Sequence, residues 1–169
     1  MQTISLIILW LLSVFSLSAQ IQRQILGYTL GVSSRPAMIA GLQNKGFILE
    51  EITDALNKGP IFYRVKGGVS FGGYIWDDVT IGFVNGKFAS IWCETYLTES
   101  QSSKLKNALQ TKYRRYSTEH TKPSESVYDY NDKRTDAFLW IQKSGMTALS
   151  YGDEKLMNAS TPTSSSNDL

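Results

Sequence analysis

The feature that most constrains this chain is Asn85-Gly86, set between two β-rich runs, Val79–Val84 and Phe88–Leu97. A two-residue hairpin of type I′ needs positive φ at both central residues, and Asn-Gly is the pair that adopts it most readily. Around this turn, Ile61–Leu97 reads as a block of antiparallel strands. Ile61–Val65 is its first strand, and Gly67-Gly68 turns the chain. Val69–Trp76 is a second strand, in which Gly72-Gly73 marks a bulge or bend before the turn at Asp77-Asp78. An ideal two-residue hairpin sets Phe83 against Phe88 and Val79 against Trp92, with Ile91, Cys93 and Leu97 on the other side. A three-residue turn with a bulge would shift the outgoing strand by one residue and exchange its faces.

Two helices flank the block. Ser33-Ser34-Arg35-Pro36 supplies a serine cap with proline in the first turn. Met38, Ile39 and Leu42 form an apolar stripe behind it, and Gly46 follows as the terminating glycine. Thr98-Glu-Ser-Gln101 is a capping box, and Leu105, Ala108, Leu109 and Tyr113 recur at helical spacing beyond it. Short helices of this kind are marginal alone and must dock an apolar face.

Between and after them lie weaker signals. Ile25–Gly31 is an apolar segment broken by glycines, and Phe47–Leu49 is strand-like. Thr53–Lys58 suggests a helical turn, closed by Gly59-Pro60. Arg114–Ser126 is polar and contains Pro123, so it reads as a loop. Val127–Tyr130, Thr135–Gln142 and Met146–Tyr151 are strands, and Asp153–Met157 adds a helical turn. Helix, strands, helix, strands predicts an α+β fold: a single antiparallel β-sheet with two main helices packed on one face.

Met1–Ala19 carries no charge and contains the apolar run Ile4–Phe15, shorter than the ~20 apolar residues a spanning helix needs. It fits a signal peptide cleaved after Ala19, although no Lys or Arg precedes the run and Leu17 stands where a small residue is preferred. An uncleaved N-terminal anchor is the alternative. Residues 20–157 then form one domain, with Gln20–Gln24 as a loose lead-in and residues 158–169 as a disordered polar tail. Asn158-Ala-Ser160 matches a glycosylation acceptor, a pattern that arises readily by chance. The expected location is periplasmic or secreted. With a single cysteine, Cys93, the exported chain has no internal disulfide and must be held by packing.

Two segments, Tyr28–Ser33 ahead of the first helix and Ile81–Phe88, resemble two families of small exported bacterial domains. One is the small lipoprotein subunit of the outer-membrane β-barrel assembly machine. The other is the β-lactamase inhibitor protein family, whose domains also lay helices on an antiparallel sheet. The lipobox cysteine of the first is missing here, and one cysteine cannot make the disulfides of the second. The resemblance implies a non-catalytic module that binds protein.

Residue chemistry excludes several classes. His120 is the only histidine and lies in a polar stretch, and no Gly-x-Ser-x-Gly elbow exists, so a serine triad is unsupported. One His and one Cys far apart cannot make a zinc site, and Asp129, Asp132 and Asp136 lack the spacing and glycine of a calcium loop. Cys93 sits mid-strand without a basic neighbour and reads as a structural thiol. The paired glycines do not precede a helix, so no phosphate cradle is present. No cofactor is implied. Lys112–Tyr116 resembles a backbone-binding stripe, but a net charge of only +2 argues against nucleic acid, and cations suit a helix C-terminus.

What remains is an excess of aromatic residues in the strand block. Amphipathic Tyr and Trp on an open sheet face suit a binding site. The ligand-binding set read from the sequence is Tyr63, Tyr74, Trp76, Trp92, Glu94 and Tyr96. No residue is assigned a catalytic or metal-binding role. The function expected is contact with another envelope or secreted protein, through the sheet face opposite the helices. The rivals are a hydrolase using Glu94 or the Asp77-Asp78 pair, and a structural envelope component.

Overall fold

The computed structural model describes residues 20–52 and 59–160. The expected signal peptide, the helical turn at Thr53–Lys58 and residues 161–169 lie outside the described residues. Twelve strands and three helices follow in order: β1 (Gln24–Ile25), β2 (Tyr28–Thr29), α1 (Arg35–Asn44), β3 (Ile48–Glu51), β4 (Ile61–Lys66), β5 (Val69–Phe71), β6 (Tyr74–Trp76), β7 (Asp78–Val84), β8 (Lys87–Tyr96), α2 (Glu99–Tyr113), β9 (Ser117–Lys122), β10 (Glu125–Asn131), β11 (Thr135–Gln142), β12 (Met146–Asp153) and α3 (Glu154–Ser160). A short 3₁₀ turn, Arg114–Tyr116, joins α2 to β9.

The architecture is α+β with an antiparallel sheet, as the element order predicts. The expectation of one sheet and two helices is corrected. An eight-stranded sheet in the order β3-β4-β7-β8-β12-β11-β10-β9 is joined by two separate hairpins, β1-β2 and β5-β6, and by a third helix. Val69–Trp76 is therefore not a bent strand of the block. Gly72 and Gly73 take positive φ of 64° and 84° and close their own hairpin, with Phe71 opposite Tyr74 and Val69 opposite Trp76. Arg114–Ser126 is likewise not a loop, since its polar residues form edge strand β9.

At the central hairpin Asn85 and Gly86 have φ of 50° and 71°, as the type I′ turn requires. Phe83 faces Phe88 as expected, but Gly82 faces Ser90, leaving Ala89 as an extra residue in β8. That bulge sets Val79 against Cys93 and Thr80 against Trp92. The ideal-hairpin pairing of Val79 with Trp92 is thus corrected. The exchange of faces occurs, through a bulge inside the strand rather than a longer turn.

The inward face carries Val79, Ile81, Phe83, Ile91, Cys93, Leu139, Leu149 and Tyr151, all buried. Met38 and Leu42 of α1 and Leu105, Leu109 and Tyr113 of α2 join the same core. Both main helices therefore cover one face of the large sheet. The α2 capping box forms with both of its hydrogen bonds, whereas Ser34 caps α1 without a side-chain bond. Ala108 faces solvent and Ser102 takes the buried place in the stripe.

Gln20–Gln24 is no loose lead-in. Ile21 is buried, its N–H donates to Asp132 at 2.9 Å, and Gln22 N–H donates to the Tyr113 hydroxyl at 3.1 Å. Arg23 reaches the Asp153 carboxylate at 2.5 Å and also donates to Leu30 O, Arg134 O and the Thr135 hydroxyl. None of the helices in the described residues is long and apolar enough to cross a membrane.

Candidate functional site on the open sheet face

The face opposite α1 and α2 follows from the register. One row crosses all eight strands: Glu50, Arg64, Thr80, Trp92, Ser150, Phe138, Asp129 and Thr118. The next row runs Asp78, Glu94, Ala148, Trp140, Val127 and His120. Helix α3 covers one end of this face, where the space a Cβ on Gly152 would take lies 3.5 Å from Met157. Among the described residues no other element lies over the two rows.

An apolar patch fills the middle. Trp92 stacks on Phe138 with centroids 5.7 Å apart and planes at 26°. Trp140 and Val127 lie beside them, half-buried, and Ala148 lies buried between Trp140 and Glu94. The Trp140 indole N–H donates to Glu125 at 2.8 Å. That bond, reinforced by Lys122, holds the Glu125 carboxyl below its ordinary pKa.

Charges ring the patch. Arg64 stands 3.4 Å from Asp78 and Lys66 stands 2.5 Å from Glu50, while Asp129 lies 3.8 Å from His120. Glu94 has no ion-pair partner among the described residues. Toward α3, Asn131 donates to Asp136, whose pKa is raised by partial burial and then by the neighbouring Glu154 carboxylate.

The six residues read from the sequence do not share one surface. Trp92, Glu94 and Tyr96 stand on the open face, and Tyr96 is 69 % exposed. Trp76 has 0 % of its surface accessible and its indole donates to Phe71 O at 2.9 Å, so it is a core residue of the β5-β6 hairpin. Tyr74 donates to Gln101 O at 3.2 Å on the helix-bearing side. Tyr63 also points that way, edge-on to Phe83 at 5.9 Å with its hydroxyl 2.5 Å from Glu51. Trp140 and Phe138 stand in the patch although the sequence reading left them out. Residues 137–141 are apolar without a break, so the sequence does not mark Phe138 and Trp140 as the outward pair, and only the register with β10 and β12 does.

The strand carboxylates differ in their partners. Asp77 accepts from the Thr95 hydroxyl at 2.6 Å, and Asp78 is engaged by Arg64. Glu94 does not line the crevices at Leu97–Gly145, at Asn107–Ser117 or beside Leu149 and Tyr151. Cys93 is fully buried and its thiol is pushed up to about 12 by desolvation, so it is not a thiolate at neutral pH. Among the described residues no three of His, Cys, Asp and Glu stand close enough to share a metal ion. Compared with known proteins, the chain matches no family model, no curated protein and no solved structure, so the resemblance to two exported families rests on its two short segments alone.

Proposed function

We propose that this chain is an exported, non-catalytic binding module that takes hold of another envelope or secreted protein through the open sheet face. The observation that carries the reading is the Trp92–Phe138 stack with Trp140 beside it, standing on a face that neither main helix covers. Paired aromatics supply large contact area at small cost in side-chain entropy, which is why they anchor interfaces. Glu94, unpaired among the described residues, and Asp129, beside His120, add an acidic rim that selects partners by charge. The export reading rests on the apolar run Ile4–Phe15.

The test is capture from the native cell envelope with wild type, Trp92→Ala and Trp140→Ala proteins side by side. A partner retained by wild type and lost from both variants, each with an unchanged thermal midpoint, supports the reading. Equal capture by all three removes the sheet face as the site. Detection of the chain inside the cell, with Met1–Ala19 still attached, removes the export reading.

A further inference from the structure

The two edges of the eight-stranded sheet are finished differently. At one end β9 is polar throughout, and all six of its residues are exposed. At the other end β3 pairs with β4 alone, and among the described residues no strand lies beyond it. Ile48 there is 70 % exposed, and Ile52, just past the strand, is 42 % exposed. Both share a side of the strand with Glu50, because side chains alternate along it. A bare edge that shows apolar side chains is a template for pairing. The ladder fixes what this edge offers. Ile52 N–H donates to Phe62 O at 3.0 Å, and the register carries the same phase to Glu50 opposite Arg64 and Ile48 opposite Lys66. In an antiparallel ladder the residues between these turn their N–H and C=O the other way. Leu49 and Glu51 therefore aim their N–H and C=O groups outward, with no backbone partner among the described residues.

We infer that the β3 edge takes up an extended, basic segment of another protein as an added strand, at a site separate from the aromatic patch. The outward groups of Leu49 and Glu51 supply its main-chain hydrogen bonds, and apolar residues of the segment cover Ile48 and Ile52. Charge selects this occupant over a second copy of the chain. Glu50 and Glu51 are both exposed, and β3 carries no cation. Two β3 edges brought together would crowd both pairs of carboxylates into one ladder, whereas Lys or Arg at the facing positions neutralises them. The sheet compensates them only from behind. Lys66 on β4 lies 2.5 Å from Glu50, and the Tyr63 hydroxyl donates to Glu51 at 2.5 Å, each contact taking one carboxylate oxygen.

The test adds the capped peptide Thr-Val-Val-Lys-Lys-Val-Val-Thr to the full chain and follows amide hydrogen exchange residue by residue. The same peptide with Glu in place of both lysines is the control. Saturable binding of the lysine peptide is expected, tighter than the control by about fivefold or more, the size of one exposed charge contact. Exchange at the Leu49 and Glu51 amides should slow as the peptide saturates, since both become hydrogen-bonded. Glu50→Lys combined with Glu51→Lys should reverse the preference between the two peptides. Trp92→Ala should bind the lysine peptide as wild type does, whatever becomes of the aromatic patch. Absence of saturable binding, equal binding of the two peptides, unslowed exchange at Leu49 and Glu51, or an unreversed preference in the double variant would each overturn the inference. Loss in Trp92→Ala would move the peptide to the patch. A wild-type chain that sediments as a dimer, and as a monomer in Ile48→Lys, would make a second copy the occupant.

Discussion

Trp76 and Trp92 show how little a residue's type says about its duty. Both sit in β-rich sequence with an acidic residue nearby, and sequence alone marks both as contact residues. The first is wholly enclosed and the second is half-buried on the open face. Trp76→Ala should therefore cost about 3–5 kcal/mol, the usual range for removing a buried aromatic. Trp92→Ala should cost about 0.5–1.5 kcal/mol, mainly the lost stack on Phe138. Urea unfolding of the two variants checks this, and a reversed order would place Trp92 in the core. A second residue-scale prediction concerns Asp136. Its folded pKa is raised from 3.8, so the fold favours its protonated form. The stabilisation this gives is complete below the unfolded value and fades as pH rises through the folded one. Asp136→Asn should therefore melt higher than wild type at pH 7 and level with it at pH 3. The gain should stay within about 0.5 kcal/mol, because the residue keeps much of its surface in water.

At the scale of elements, legibility followed the source of the signal. Chain-local chemistry could be read directly. Asn85-Gly86 made its turn, Thr98 and Gln101 made their capping box, and Gly46 ended α1 with φ of 88°. Thr98→Ala should cost about 1 kcal/mol in urea unfolding with an unchanged slope, since it removes a cap without touching the core. Elements defined by their neighbours were not legible. The Ala89 bulge exists because Ile91 and Cys93 must point inward with Val79 and Ile81, and only the assembled core sets that demand. Strand β9 has no apolar alternation to announce it, and all six of its residues are exposed. Its strand state comes from pairing with β10 alone. The candidate site inherited the same blindness: Trp92 and Glu94 could be named, but which face they occupied waited on one extra residue in the strand.

The whole molecule must solve two problems that no single element solves: open sheet edges and the joining of segments distant in sequence. Edge strand β9 presents Glu119, His120 and Lys122 to solvent, charges and polar groups that discourage pairing with another sheet. Arg23 ties the segment before β1 to the close of β12. From the segment that enters β1, its guanidinium spans the carbonyls of Leu30 and Arg134 and the carboxylate of Asp153, where β12 closes. The Arg23 and Asp153 side chains are only 16 % and 10 % exposed, so the pair is mostly out of water. Gly31 has no room for a side chain there, since a Cβ would meet Asp153 and Arg23. Removing one partner of such a pair leaves the other charge buried without compensation, at a cost of about 3–5 kcal/mol. Arg23→Ala should therefore destabilise far more than Lys66→Ala, whose partner Glu50 lies half in solvent on the open face. Asp153→Asn together with Arg23→Ala should recover part of the loss, because it removes the stranded charge. If the double variant unfolds no later in urea than Arg23→Ala alone, the anchor is packing of the arginine stem rather than the ion pair.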